Sequence, residues 1–210
     1  MGIYVFTWSK LKKYLTEDEA NPNSENDFGK NVIPAMLAAG EKMWPYRFEG
    51  YWRDVGTIKS LWDANMDILC GENIDLFDKK WPIRSNNPIS LPQYFGEDAK
   101  VTHSIVTGGS QVNGIVESSV LSASVVIEEG ALIDHSVIMP GTKICRGAVI
   151  SYAIIGGNSL IGPGAIIGEA PAEGREPEIC TVGPEIKVAA GAKIPAGAMI
   201  YEDVKEGGAM

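Results

Sequence analysis

Two aspartates in this sequence stand close to aromatic residues, a combination whose residue types could do chemistry. Asp27 precedes Phe28, and Asp54 stands two positions after Trp52. A carboxylate can hold a hard cation through its oxygens, and an aromatic ring offers a flat apolar face to a ligand. Taken one at a time, aspartates also favour turns and helix N-caps. The residues alone therefore predict a turn at Asp54, a cap at Asp27, and core positions for Trp52 and Tyr4.

The other reactive residue types give weaker signals. Histidine is the usual general base near neutral pH, and the chain has only His103 and His135. The glycine-rich segment 162–168 lacks the last spacing of a dinucleotide-binding loop, so it predicts no cofactor site. Among the cysteines, Cys145 and Cys180 are expected to be inert small residues.

Composition excludes several classes of protein. The chain has 18 basic and 27 acidic residues and a net charge of −9, which argues against a surface that binds nucleic acid or an anionic membrane. Its 3 cysteines are too few for a disulfide framework or a zinc site, and they predict a reduced, cytoplasmic protein. The chain contains no run of roughly 18 consecutive apolar residues, which is the length that a transmembrane helix needs.

Residue usage changes between the two halves of the chain. All 5 tryptophans and all 5 phenylalanines precede residue 96, whereas residues 96–210 hold 18 of the 24 glycines. The stretch 81–88, rich in proline and asparagine, suits neither a helix nor a strand interior. These features predict a first domain at 1–81, a linker at 82–100 and a second domain at 101–210.

The second domain repeats with a period of 17 residues. Blocks that begin at 119, 136 and 153 carry an aliphatic residue at their third, ninth and fifteenth positions, and Gly-Ala at the twelfth and thirteenth. A shorter block at 104–118 has the same phase, which is lost in an insertion at 170–179 and then resumes. One aliphatic residue in every six fits neither a lone helix nor a two-residue alternation. It predicts a parallel β-helix of some five coils, stacked about 4.8 Å apart.

The first domain has the pattern of a partial α/β domain. The predicted elements are a doubly buried strand at 2–6, a short helix at 10–15, a polar loop at 17–26, a helix at 27–39 and one or two strands within 43–54. A further helix is expected from a cap at Thr57 to a stop at Gly71. A doubly buried strand needs neighbours on both sides, so this segment alone cannot complete a parallel sheet.

Three segments carry a family resemblance. The chain resembles bacterial glucose-1-phosphate adenylyltransferase in three segments, 1–6, 27–34 and 51–57, and in the hexapeptide-type β-helix that follows them. The resemblance implies a partial Rossmann-like nucleotidyltransferase domain followed by a left-handed parallel β-helix. It also implies the conversion of ATP and glucose 1-phosphate to ADP-glucose and pyrophosphate, and an oligomer that forms through the β-helix.

The resemblance also assigns roles to single residues. Five of them match positions that line the sugar-phosphate pocket of the family: Tyr4, Asp27, Phe28, Trp52 and Asp54. Asp54 in addition matches a carboxylate that helps to hold Mg²⁺. The chemistry agrees with these roles, because Trp52 can cover a pyranose face and Asp27 can accept sugar hydroxyl groups.

The resemblance leaves part of the catalytic machinery without a counterpart. The family's glycine-rich nucleotide loop, its second metal-binding aspartate and its sugar-phosphate lysine all lie upstream of the segment that matches residues 1–6. We therefore predict that the isolated chain contains no catalytic residues and is inactive alone. Two alternatives stay open, a hexapeptide-repeat acyltransferase with His135 as base and a non-catalytic assembly or regulatory β-helix.

Overall fold

The chain forms two compact units, Met1–Trp52 and Arg53–Met210. The computed structural model describes residues 2–71, 74–85 and 89–205. Residues 86–88 of the predicted linker lie outside the described residues. The domain limits drawn from composition stay a prediction.

The first unit is built from helices and irregular segments. Helix α1 spans Trp8–Glu19, a π-helical turn spans Phe28–Val32, and α2 continues from it over Ile33–Ala38. The small core of the unit consists of Tyr14, Val32 and Met36, with partly buried apolar residues around it. Glu41 joins the end of this segment to α1, because it accepts hydrogen bonds from Lys10 Nζ at 2.7 Å and Tyr14 Oη at 3.2 Å.

Two strand predictions for the first unit are wrong. Residues 2–6 and 43–54 form no strand, and α1 is longer than the helix predicted at 10–15. A strand is stabilised by hydrogen bonds to a neighbouring strand, and the described residues 2–52 contain none. The side chains of Val5 (97% exposed), Trp44 (86%) and Tyr46 (88%) consequently face solvent.

The third helix opens the second unit and has the predicted ends. Helix α3 spans Ile58–Cys70. Thr57 caps it by accepting a hydrogen bond from the Ser60 backbone N–H, while Ser60 Oγ accepts one from the Thr57 backbone N–H. Gly71 ends the helix in the left-handed conformation at φ 66°, which glycine adopts at no steric cost.

The remainder of the second unit is a three-sided stack of parallel strands. The first face comprises β1 (Tyr94–Phe95), β4 (Gln111–Val112), β7 (Val126–Ile127), β10 (Lys143–Ile144), β13 (Leu160–Ile161) and β16 (Lys187–Val188). The second face comprises β2 (Lys100–Thr102), β5 (Ile115–Glu117), β8 (Leu132–Asp134), β11 (Val149–Ser151), β14 (Ile166–Ile167) and β17 (Lys193–Ile194). The third face comprises β3 (Ile105–Val106), β6 (Val120–Leu121), β9 (Val137–Ile138), β12 (Ala153–Ile155), β15 (Cys180–Val182) and β18 (Met199–Ile200).

The 17-residue period correctly predicts the interior of this stack. The nine aliphatic residues at the repeat positions are fully buried: Leu121, Ile127, Ile133, Ile138, Ile144, Ile150, Ile155, Ile161 and Ile167. Residues one period apart pair in register, as Ile133 does with Ile150. The stack has six coils instead of the five predicted, since a further coil begins at Tyr94. That coil lies at the end of the stack, and half-exposed Phe95 takes the place of the aliphatic residue found in the other coils. Because Phe95 breaks the aliphatic repeat, the sequence pattern did not reveal this coil.

Two kinds of residue allow the chain to turn at the corners. The glycine of each Gly-Ala pair lies in the left-handed region, for example at φ 69° in Gly147, and the following alanine is buried. At another corner, buried serines satisfy the backbone. Ser136 Oγ donates to the Asp134 carbonyl and accepts from the Ala153 N–H, and Ser119 makes the equivalent bonds one coil earlier.

Candidate functional site

Two of the five predicted pocket residues, Tyr4 and Phe28, contact each other in the first unit. The rings of Tyr4 and Phe28 stack with their centroids 5.8 Å apart and an interplanar angle of 13°. Phe6 contacts both rings at centroid distances of 5.9 Å. Asp27 immediately precedes Phe28 in the chain. Tyr4 is 47% exposed, which makes this a surface cluster rather than the core position predicted from the residue alone.

The local structure fixes the position of Asp27. As predicted, Asp27 is an N-cap, and its Oδ1 accepts a hydrogen bond of 2.8 Å from the Lys30 backbone N–H. The Asp27 N–H in turn donates to Asn31 Oδ1 at 3.3 Å. These bonds hold the start of the π-helical turn, which presents Phe28 to Tyr4. Capping therefore engages Oδ1 of the Asp27 carboxylate.

Trp52 and Asp54 fall on opposite sides of the boundary between the two compact units. Trp52 is the last residue of the first unit and is 48% exposed, so it is not the core residue predicted from the sequence alone. Asp54 belongs to the second unit. Its Oδ1 accepts a hydrogen bond of 3.2 Å from the Gly56 N–H, which confirms the predicted turn.

Helix α3 packs on the third face of the β-helix, a contact that the sequence analysis did not predict. Trp62 is buried in a cluster with Val137, Ile154 and Ile179. Its indole Nε1 donates a hydrogen bond of 2.7 Å to the carbonyl oxygen of His135, which lies at a corner of the coil. The regular apolar spacing of α3 indicated a buried face but could not identify the surface that covers it.

The corner below α3 is a compact polar and aromatic group. The His135 ring stacks on Tyr152 at 4.8 Å and 2°, and its Nδ1 lies 2.6 Å from Asp134 Oδ1. Both His135 and Tyr152 have positive φ, at 42° and 49°. Burial raises the pKa of the Tyr152 hydroxyl. The predicted surface-corner position of His135 is therefore confirmed.

A second unpredicted feature is an ion-pair network between Arg53 and α3. Arg53 Nη1 lies 3.1 Å from Asp63 Oδ2, and Arg53 Nη2 lies 2.7 Å from Asp67 Oδ2. Lys59 Nζ also binds Asp63 at 3.1 Å and lies 3.6 Å from Glu176 in the insertion loop. The hydrogen bond to Asp63 raises the pKa of Lys59. In the sequence, Asp63 and Asp67 are four residues apart and so lie on one face of a helix. This spacing could have indicated that a basic side chain bridges them.

The acidic residues offer limited metal-binding capacity. In residues 2–71, 74–85 and 89–205, no three His, Cys, Asp or Glu side chains form a group that could hold a metal. Asp54 supplies one carboxylate. Mg²⁺ in phosphate-handling sites is commonly bound by one or two carboxylates together with substrate phosphates and water. A single carboxylate such as Asp54 would therefore need ligands from substrate and water to complete such a site.

The cysteines take no part in the candidate site. Cys180 is fully buried, and burial raises the pKa of its thiol to about 12. Cys145 is also buried with a raised pKa, whereas Cys70 is exposed. The segment 162–168 forms part of the coils, with Gly164 at a corner, and is not a nucleotide loop. No helix in the described ranges is long and apolar enough to cross a membrane.

Family comparisons divide the chain in the same order as the sequence motifs. A family model described as "Nucleotidyl transferase" matches residues 1–70, and one described as "GlmU-like, C-terminal hexapeptide" matches residues 92–185. The predicted fold class is confirmed, with part of a nucleotidyltransferase domain followed by a left-handed parallel β-helix.

Curated relatives give a more specific comparison. A glucose-1-phosphate adenylyltransferase of Clostridium botulinum is 55% identical over 133 residues, which are 63% of this chain and 34% of the relative. The chain is similar in sequence to glucose-1-phosphate adenylyltransferases. The enzymes of that name from Bacillus cereus and Fusobacterium nucleatum are both 53% identical, over 63% and 60% of this chain and 35% and 33% of their own. The resemblance drawn from the sequence motifs is confirmed.

The similarity covers a part of each relative. The chain spans about a third of the length of the glucose-1-phosphate adenylyltransferases that it matches. Among solved structures, the acetyltransferase domain of PglB from Neisseria gonorrhoeae, in complex with acetyl coenzyme A, is 28% identical with a TM-score of 0.42. That match covers 52% of this chain and 54% of the other.

Proposed function

We propose that this chain provides the sugar-phosphate side and the β-helical portion of a glucose-1-phosphate adenylyltransferase. The complete enzyme would convert ATP and glucose 1-phosphate to ADP-glucose and pyrophosphate. The 55% identity to an enzyme of that name is the observation that carries the proposal. The stacked rings of Tyr4 and Phe28, and the helix-capping Asp27 next to Phe28 in the chain, support it, because the segment offers both apolar rings and a carboxylate.

The proposed roles of the pocket residues follow from their chemistry and exposure. Tyr4 and Phe28 would form one apolar wall, and Asp27 would accept sugar hydroxyl groups through the oxygen that does not cap the helix. Trp52 is half-exposed, and its ring would cover a face of the pyranose. An aromatic face covers the C–H groups of a sugar and excludes water from it, while the carboxylate sets its orientation.

Asp54 would hold Mg²⁺ together with phosphate oxygens. Nucleotidyltransferases generally use a divalent cation, and when bound the ion would neutralise phosphate charge. The phosphate oxygen of glucose 1-phosphate would attack the α-phosphorus of ATP in line, and pyrophosphate would leave. Such a reaction depends mainly on positioning and on charge stabilisation, so the task of these residues is to orient the sugar phosphate.

The partners of the chain are part of the same proposal. The intact protein would bind ATP and glucose 1-phosphate, form homo- or hetero-oligomers through its β-helix and work in the cytoplasm. The three unpaired cysteines support a reducing compartment. We expect no nucleic-acid or membrane binding, given the net charge of −9.

The acyltransferase alternative receives less support from the site. One face of the His135 ring is covered by Tyr152, and its Nδ1 is engaged by Asp134. The backbone carbonyl of His135 serves to dock α3. A structural role at the corner explains all three contacts. The acyltransferase alternative is tested by an assay for acetyl-CoA-dependent acylation, which we expect to be absent.

A chimera tests the proposal directly. The upstream nucleotidyltransferase segment of the Clostridium botulinum relative would be joined to residue 1, and pyrophosphate release would be measured with ATP, glucose 1-phosphate and Mg²⁺. We expect turnover by the chimera and none by the chain alone. Turnover by the isolated chain would contradict the predicted inactivity.

Two substitutions in the chimera separate site chemistry from folding. Asp54→Asn should reduce the rate at least about a hundredfold, the usual effect of removing a charged group that stabilises a phosphoryl-transfer site. Glu185→Gln, at a corner of the coil in the same unit, removes one carboxylate as a matched control and should leave the rate unchanged. Equal rates for both variants would remove Asp54 from the proposed site.

A further inference from the structure

The segment that carries Asp54 is attached to α3 at two points. Upstream, the Arg53 guanidinium reaches Asp63 at 3.1 Å and Asp67 at 2.7 Å. Downstream, Thr57 begins the helix with its capping box. Asp54 lies between these two attachments, so its backbone follows the position of α3.

Helix α3 is itself fixed to the β-helix. The Trp62 indole N–H donates to the His135 carbonyl at 2.7 Å, and Trp62 packs against Val137 and Ile154 on the third face. A rigid stack of coils therefore carries α3, and α3 carries the Asp54 segment. All of these contacts lie within the second compact unit.

We propose that Arg53 is a positioning residue, which holds the Asp54 carboxylate in place by pairing with Asp63 and Asp67 on α3. The planar guanidinium suits this task because its two outer nitrogens bind two carboxylates at once, whereas an ammonium group acts as a point charge. The three side chains are each only 22–34% exposed, so solvent competes partly with the contacts. The inference rests on the role of Asp54 in the proposed function.

Amide hydrogen exchange in the full chain tests the attachment. The Gly56 N–H donates to Asp54 Oδ1 and so reports on the carboxylate directly. Arg53→Ala should raise the exchange rate of this amide about fivefold, the effect expected for two partly exposed ion pairs. Arg53→Lys should give an intermediate rate. Exchange within α3 should stay unchanged, because Trp62 still fixes the helix.

Lys59→Ala provides the matched control. It removes a cation that also binds Asp63, at 3.1 Å, but Lys59 lies inside α3 and does not hold the Asp54 segment. We expect no change at Gly56. An unchanged Gly56 rate in Arg53→Ala, an equal rise in Lys59→Ala, or a matching rise throughout α3 would each overturn the proposal.

A paramagnetic probe separates this inference from the proposed function. Mn²⁺ stands in for Mg²⁺ and, with glucose 1-phosphate present to supply phosphate oxygens, should broaden the Gly56 amide resonance in the unmodified chain, with a higher Mn²⁺ midpoint in Arg53→Ala. Asp54→Asn should abolish the broadening. If Mn²⁺ broadens nothing in the unmodified chain, the metal role within the proposed function fails, and the exchange rates alone decide whether Arg53 positions Asp54.

Discussion

Replacing Trp62 should release α3 from the β-helix without unfolding the coils. The indole is 7% exposed. A tryptophan side chain buries roughly 200 Å², which at about 25 cal/mol per Å² corresponds to roughly 5 kcal/mol as an upper bound. Measured truncations of buried tryptophan to alanine cost about 3–5 kcal/mol. Since about 1.4 kcal/mol is a factor of ten, Trp62→Ala should raise exchange within α3 at least about a hundredfold.

The assay is hydrogen exchange followed by mass spectrometry of peptides from 58–70 and from the coils. Trp62→Phe should have a smaller effect of about 1 kcal/mol, because it keeps most of the ring and loses the hydrogen bond to His135. Trp44→Ala is the control, since Trp44 is 86% exposed. Unchanged protection of α3 in Trp62→Ala would refute the docking, and equal loss of protection in the coils would refute its local character.

Three further predictions concern the β-helix and the start of α3. Ile150→Ala, at a fully buried position, should cost about 2–5 kcal/mol in urea unfolding, whereas Ile166→Ala, at a position 40% exposed, should cost less than about 1 kcal/mol. Thr57→Ala should cost about 0.5–2 kcal/mol, detected as faster exchange in the first turn of α3. The pKa of Glu128 is lowered below 4.5, first by the hydrogen bond from Lys143 and second by the one from the Arg146 N–H. The ionised Glu128 therefore stabilises the folded protein above pH 4.5, and this contribution is lost as the pH falls through the lowered pKa. Below pH 4.5 the thermal unfolding midpoint should therefore fall less steeply with pH in Glu128→Gln than in the unmodified chain.

The β-helix could be predicted closely because its order is local and periodic. Each interior residue is separated by one period from its neighbour in the next coil, so the sequence specifies both burial and register, as for Ile133 and Ile150. The ends of α3 were equally predictable, since Thr57 and Gly71 act through backbone bonds within a few residues. These features depend on nothing outside the segment that forms them.

The strand predictions failed because a strand depends on a neighbour that the local sequence does not contain. Residues 2–6 have the composition of a buried strand, but the described residues 2–52 contain no strand to pair with them. The contacts of Arg53 and Trp62 were missed for a related reason. Their partners are set by how α3 packs, and the carbonyl of His135 is 73 residues from Trp62.

The position of Asp54 within the second unit has a practical consequence for recombining such chains. A crossover at residue 82, where composition changes, would separate Trp62 from the corner carbonyl that anchors it. A crossover between Trp52 and Arg53 would transfer Asp54, its arginine, α3 and all six coils as one piece. Hybrid proteins made at the second junction should inherit Asp54 together with its Arg53–α3 attachment from the donor of the β-helix.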